Sequence, residues 1–161
     1  MPYVWCQGVA PEQCSEYLTF SVVRNPWDRV VSAYHYLLSG GANKRDLGLS
    51  EIVGKYEGFD DFVRRWMCKE NIENHIHFIP QYHFIENQHG PVDIDYIGRF
   101  GTLQSDINKV VGSLKSMRSS LVLEETNSSD RGDYRDYYSS ESKKIVEDLY
   151  SRDVSEFSYC F

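Results

Sequence analysis

From Tyr17 to Val23 the chain reads YLTFSVV, a nearly continuous apolar run rich in β-formers. Such a run, without polar alternation, is the pattern of a strand buried on both faces. It stops at Arg24, and Asn25-Pro26 comes next. Asparagine is a favoured N-cap, proline is preorganised for the first helical position, and Asp28 falls in the first turn, where negative charge is favourable. Trp27, Val30, Val31, Tyr34, Leu37 and Leu38 then recur at helical spacing until Ser39-Gly40-Gly41. The pattern predicts a strand, a tight turn and a helix.

Gly40 to Gly58 is polar and reads as loop with a short helix. Phe59, Phe62, Val63, Trp66 and Met67 mark a second helix that opens on Asp60 and Asp61. Ile76 to Ile85 is aromatic, but Pro80 prevents a simple central strand or an uninterrupted helix. Asp95 to Phe100 reads as a short strand, succeeded by a helix through Leu103, Ile107, Val110, Val111 and Leu114. Glu124 to Asp136 is a polar loop. Ser139 or Ser140 caps a last helix that carries Ile145, Val146, Leu149 and Tyr150 on one face. Strands alternating with helices predict an α/β layer structure with a mainly parallel sheet, and residues 1–161 read as a single domain.

Composition narrows the chemistry. Apolar residues make up 41% of the 161 and aromatics 14%, enough for a packed core. The formal charge is −7, the wrong sign for non-specific nucleic-acid binding, so no nucleic-acid partner is expected. Any phosphate must be gripped locally. The four cysteines, Cys6, Cys14, Cys68 and Cys160, form no CxxC pair. His75 and His77 could face one side of an extended segment, but no third ligand stands at a recognisable spacing, so no metal is expected. No stretch approaches the ~20 apolar residues that span a bilayer, and Met1 to Ala10 lacks the pattern of a signal peptide.

A helix N-terminus at the carboxyl end of a strand is a natural anion site. Arg24 stands at that junction, and Ser32 lies six residues beyond Pro26, about 9 Å along a helix axis. A long arginine side chain covers that distance, so Arg24 and Ser32 could close on one phosphate. On spacing alone, arginine and aspartate beside such a turn also serve ordinary capping.

The string RNPWDRVVSAY, from Arg24, closely resembles the 3′-phosphate motif of sulfotransferases that use 3′-phosphoadenosine 5′-phosphosulfate (PAPS). The resemblance is to the broad family of bacterial and Golgi carbohydrate sulfotransferases. HFIPQYHFI, from His77, resembles that family's His-x-x-Pro segment. VDIDYIGRFGTLQSDI resembles its next strand and helix, and the C-terminal run from Tyr134 its closing helix and aromatic tail. The resemblance implies that Arg24 and Ser32 hold the 3′-phosphate of PAPS or of its product PAP. It implies further that Arg131, Tyr134 and Arg135, in the late polar loop, complete the nucleotide site, although a solvated loop is the other reading. His77 is the first candidate for the base that takes the acceptor's proton, against a histidine merely packed with Phe78, Tyr82 and Phe84. His35 is a second candidate.

The implied fold is the P-loop nucleotide-kinase-like sulfotransferase fold with a central parallel sheet. The chain departs from the pattern in two places. Many relatives carry a glutamate where Gly101 stands. The family's opening strand, its Pro-Lys-Thr-Gly/Ala-Thr loop for the 5′-phosphosulfate, and the helix after it have no counterpart here. Ser39 to Lys44 is glycine-rich but comes after a helix end. The first βα unit is therefore expected to be missing, with little turnover by this chain alone and an open sheet edge that self-association or Met1 to Tyr17 would cover. The implied function is sulfuryl transfer from PAPS to a hydroxyl acceptor, a carbohydrate, without metal. A non-catalytic nucleotide-binding domain is the alternative. A nucleotide kinase is disfavoured, since no Gly-Lys-Ser/Thr loop is present. A bacterial-type member would be cytoplasmic and an anchored eukaryotic one Golgi-luminal.

Overall fold

A computed structural model of the chain describes residues 17–87, 90–91, 94–113, 122–123 and 131–161. The elements are β1 (Phe20–Val23), α1 (Pro26–Leu38), α2 (Leu47–Val53), α3 (Phe59–Trp66), α4 (Lys69–Asn74), α5 (Tyr82–Ile85), β2 (Glu86–Asn87), β3 (Gly90–Pro91), β4 (Tyr96–Arg99), α6 (Leu103–Ser113), α7 (Ser140–Leu149) and α8 (Ser151–Glu156). Short 3-10 turns occupy Phe100–Thr102 and Tyr134–Tyr137. The architecture is mixed α/β, mostly helical, with a small parallel sheet. Among the described residues no helix is long and apolar enough to cross a membrane. Two compact units form: Met1–Arg24 with Gln81–Thr126, and Asn25–Pro80 with Asn127–Phe161.

In the first unit, β1 and β4 pair in parallel, Phe20 opposite Tyr96 through Val23 opposite Arg99. The entrance of the pair is locked by Asp95 Oδ2, which accepts from the Thr19 backbone N–H at 2.7 Å and from its hydroxyl at 2.8 Å. The exit is locked by Asp106 on α6. Its carboxylate accepts from the Arg99 N–H, Lys109 Nζ, and the hydroxyls of Thr102 and Tyr96. The Arg99 N–H foremost, then Lys109 and Thr102, hold Asp106 well below the usual carboxylate range. A strand end is thereby stitched to the helix next to it in the chain.

The expectation that β1 is buried on both faces is corrected. Val23 is buried, whereas Phe20 and Val22 are exposed. Among the described residues the strand belongs to a two-stranded pair, too narrow for an apolar run to be covered on both sides. The hairpin of β2 and β3, with Glu86 opposite Pro91, was not visible in the pattern. Pro80 acts as expected: no strand or helix runs through it, a turn precedes it, and the four-residue α5 starts only at Tyr82.

The second unit holds the main core. Trp27, Val30, Val31, Tyr34 and Leu37 form the apolar stripe of α1 and pack with Phe59, Phe62, Val63 and Trp66 of α3, Phe78, and Val146 and Tyr150 of the C-terminal helices. The cap of α1 is as predicted, with Asn25 Oδ1 accepting from the Trp27 N–H at 3.0 Å. Ser139 caps α7 in a reciprocal capping box with Ser142. Buried polar ends are paired: Trp27 Nε1 donates to the Lys143 carbonyl and the Tyr150 hydroxyl to the Phe78 carbonyl. Beyond α1 the chain reverses through Gly40 and Gly41, both at positive φ. At Gly41 a Cβ would collide with the Asp46 side chain, so glycine there is a spatial as well as a conformational need. Leu114, Cys6, Cys14 and most of the Glu124 to Asp136 loop lie outside the described residues; Cys68 and Cys160 are free thiols at exposed positions.

Candidate functional site

Arg24, the residue singled out at the end of β1, is held in the first unit by its backbone. Gln81 places its side-chain amide across Arg24: Oε1 accepts from the Arg24 N–H and Nε2 donates to the Arg24 carbonyl, each at 2.8 Å. Gln81 is buried, so both polar ends of its amide are spent on one residue of main chain. The guanidinium of Arg24 lies over the Phe100 ring, with Cζ at 4.2 Å from the centroid. The strand end that carries the cation is thus fixed twice, by an amide clamp and by an aromatic face. Sequence reading gave no role to Gln81; the only visible signal was its place directly after Pro80.

In the second unit, Asn25 is fully employed. Besides capping α1, its Nδ2 donates to the Cys160 carbonyl at 2.9 Å and to the Tyr134 hydroxyl at 3.3 Å. Tyr134, predicted to line a nucleotide site, is thereby tied to the first turn of α1. Burial raises the pKa of its phenol, and its ring meets Phe161 edge-on at 5.7 Å. Arg131, the other loop candidate, pairs through Nη2 with Asp28 Oδ1. A guanidinium has five N–H donors, so holding Asp28 is compatible with donating to an oxyanion. Asp28 and Ser32 are four residues apart on α1 and share one face. The structure therefore brings Arg131 and Tyr134 to the N-terminal half of the helix that carries Ser32.

His35, one turn beyond Ser32, packs between the rings of Tyr34 and Tyr137. Its Nε2 is buried, and among the described residues it has no hydrogen-bond partner. Burial first, and the charge of Arg131 second, push its pKa down. His35 as a whole is half-buried, and its surroundings differ from those of His77 in offering that Nε2 no carboxylate partner among the described residues.

His77 is better placed than its aromatic neighbourhood in sequence suggests. Phe78 points into the core, while the His77 ring lies against Tyr36 at 5.2 Å and its Nε2 meets Asp46 Oδ1 at 2.9 Å. The His77 side chain is 26% exposed and that of Asp46 only 5%. The other carboxylate oxygen, Oδ2, accepts from the Tyr36 hydroxyl at 2.8 Å and the Ala42 N–H at 3.1 Å. The hydrogen bond with His77, then that from Tyr36, lowers the Asp46 pKa to about 2. Asp46 was absent from the sequence-based candidates, since nothing in its surroundings marks a residue 31 positions from His77 as its partner.

The depressed Asp46 pKa fixes a sign. The unfolded chain, with its carboxyl near the ordinary value of about 4, binds more protons than the folded chain between about pH 4 and pH 2. This group's contribution is fully present above that window and is lost as pH falls through it. Asp46→Asn is expected to flatten that part of the acid limb, read as urea midpoints across the window. An unchanged slope would contradict the contact.

His75, the partner in the metal reading, packs against Trp66 instead, at 5.4 Å between ring centroids. Among the described residues no three histidine, cysteine or acidic side chains gather as a metal would need.

No curated protein and no solved structure matches the chain. A family model does: that of the sulfotransferase family matches residues 7–160. The matched range takes in the strand–turn–helix around Arg24, the Gln81 clamp and the Asp46–His77 contact, and the chain belongs to the sulfotransferase family.

Proposed function

We propose that the chain is a PAPS-dependent sulfotransferase domain acting on a hydroxyl of a carbohydrate, built on the P-loop nucleotide-kinase-like fold, with residues 1–161 forming one domain. Arg24 and Ser32 hold the 3′-phosphate of the donor, Arg131 and Tyr134 line the nucleotide, and His77 accepts the proton. The observation that carries the reading is the run RNPWDRVVSAY at a strand end and helix start within a family match. A guanidinium fork and a hydroxyl suit phosphate oxygens, and a helix N-terminus adds its dipole.

In the reaction, the acceptor oxygen attacks sulfur as the bond from sulfur to the bridging phosphate oxygen breaks. The electron pair leaves with PAP, and the hydroxyl proton passes to His77. Catalysis of this kind depends on in-line positioning and on stabilising the leaving charge. The reading assigns the donor's anchor and the proton acceptor and requires no metal; no residue of this chain is assigned to the bridging oxygen.

Calorimetric titration with PAP tests the anchor. Arg24→Ala is expected to weaken PAP by about 10–100-fold, the loss of a charge-assisted pair, and Ser32→Ala by less. Adenosine 5′-phosphate, lacking the 3′-phosphate, should bind wild type and Arg24→Ala alike. Equal PAP affinity in wild type and Arg24→Ala overturns the assignment. Arg24-dependent PAP binding without transfer from PAPS to any sugar, in this chain and in one with a strand–loop–helix segment supplied upstream, favours a non-catalytic nucleotide-binding domain.

A further inference from the structure

We infer that Asp46 is a positioning residue for His77: its carboxylate, fixed by Tyr36 and the Ala42 N–H, holds the imidazole in the tautomer protonated at Nε2, so that Nδ1 is the nitrogen that takes the acceptor's proton. The inference rests on the reading of His77 as the base.

An ionised carboxylate only accepts hydrogen bonds, so the 2.9 Å contact between Asp46 Oδ1 and His77 Nε2 requires the proton on Nε2. In a neutral imidazole the lone pair then lies on Nδ1. The carboxylate itself has little freedom. The Tyr36 hydroxyl donates to Oδ2 and also accepts from the Ala42 N–H at 2.7 Å, while that same N–H lies 3.1 Å from Oδ2. The absent Cβ of Gly41 leaves room for the carboxylate. Tyr36 stands on α1, Asp46 at the entrance of α2, and His77 beyond α4, all within one unit. The helix that carries Ser32 therefore also orients the ring, through a phenol and an acid, with Tyr36 one turn after Ser32. A buried acid that fixes the tautomer of a base and stabilises the imidazolium formed on proton transfer is a general device of acyl-transfer sites. Here the same logic would serve a sulfuryl acceptor.

The test needs no turnover for its first readout. In nitrogen-15 spectra of the full chain at mildly alkaline pH, His77 is expected as one tautomer, with Nε2 protonated and Nδ1 carrying the lone pair. Asp46→Asn, whose amide can donate as well as accept, should give mixed tautomers. Tyr36→Phe, which keeps the ring against His77, should give a smaller shift in the same direction and serves if Asp46→Asn does not fold. A mixed population in wild type, or a single unchanged tautomer in both variants, overturns the inference.

Transfer from PAPS, measured in the chain with a strand–loop–helix segment supplied upstream, separates this inference from the base assignment. Asp46→Asn is expected to lower kcat by about 10-fold or more, short of the about 10²–10⁴-fold carried by the base itself, with KM for PAPS within about twofold. If His77→Gln turns over like wild type, the base reading fails while the tautomer lock stands. If His77→Gln is dead and Asp46→Asn is not slowed, Asp46 only braces the fold.

Discussion

Phe62→Ala is expected to destabilise the chain by about 3–5 kcal/mol. Phe62 is fully buried at the centre of the second unit. It stacks on Trp66, with ring centroids 4.9 Å apart and planes inclined by 19°. Tyr34, Phe78 and Tyr56 close the other sides at 5.4, 5.7 and 5.6 Å. Truncation removes the transfer free energy of a benzyl group and leaves a cavity. The surrounding rings belong to α1, α3, the link between α2 and α3 and the segment after α4, and cannot collapse together without moving the helices. Urea denaturation monitored by tryptophan fluorescence measures the loss and reports the change around Trp66 directly. Phe62→Leu, which refills much of the volume, should cost roughly 1–2 kcal/mol. A loss below about 1 kcal/mol for alanine would mean that the aromatic cluster is not the seat of stability.

That cluster was legible in the sequence because it is local and periodic. Trp27 to Leu37 and Phe59 to Trp66 each repeat at helical spacing, and Asn25-Pro26 announces the start of α1 in the only way those two residues commonly do. The capping serine of α7 was legible for the same reason. The strand was half legible: its apolar run and its end at Arg24 were right, but burial depends on how many partners a strand acquires, which no single segment encodes. The hairpin of β2 and β3 and the six-residue α4 and α8 carry too few residues to show a period.

The candidate site divides along the same line. Arg24, Ser32 and His77 were legible as candidates because a linear motif carries them. Asp46, Tyr36 and Gln81 were not, because each gains its meaning from a contact across many residues: Asp46 from His77, Gln81 from an Arg24 lying 57 positions away. Aspartate and glutamine are ordinary surface residues by composition, and only burial with a paired partner distinguishes them. His35 shows the same limit: its place on the polar face of α1 was legible, but its contacts with the rings of Tyr34 and Tyr137 were not.

Gln81→Leu should therefore act on both stability and donor binding. Leucine fills nearly the same volume but offers nothing to the Arg24 N–H and carbonyl, which the amide now holds at 2.8 Å each. An unpaired buried backbone group costs roughly 1–3 kcal/mol, and water can reach part-buried Arg24, so a combined loss of about 2–4 kcal/mol is expected from urea midpoints. A strand end released in this way no longer fixes where the Arg24 guanidinium starts, and small misplacements of a binding group are costly. PAP affinity should fall by about 10-fold at a temperature where both proteins are folded, while adenosine 5′-phosphate binding is unaffected. Gln81→Glu tests the chemistry of the clamp. Its carboxylate still accepts from the Arg24 N–H but faces the Arg24 carbonyl with a second acceptor, so it should fail like leucine despite its near-identical shape. If the glutamate variant binds PAP like wild type, the loss in Gln81→Leu comes from altered packing, and the amide clamp is not what sets the arginine.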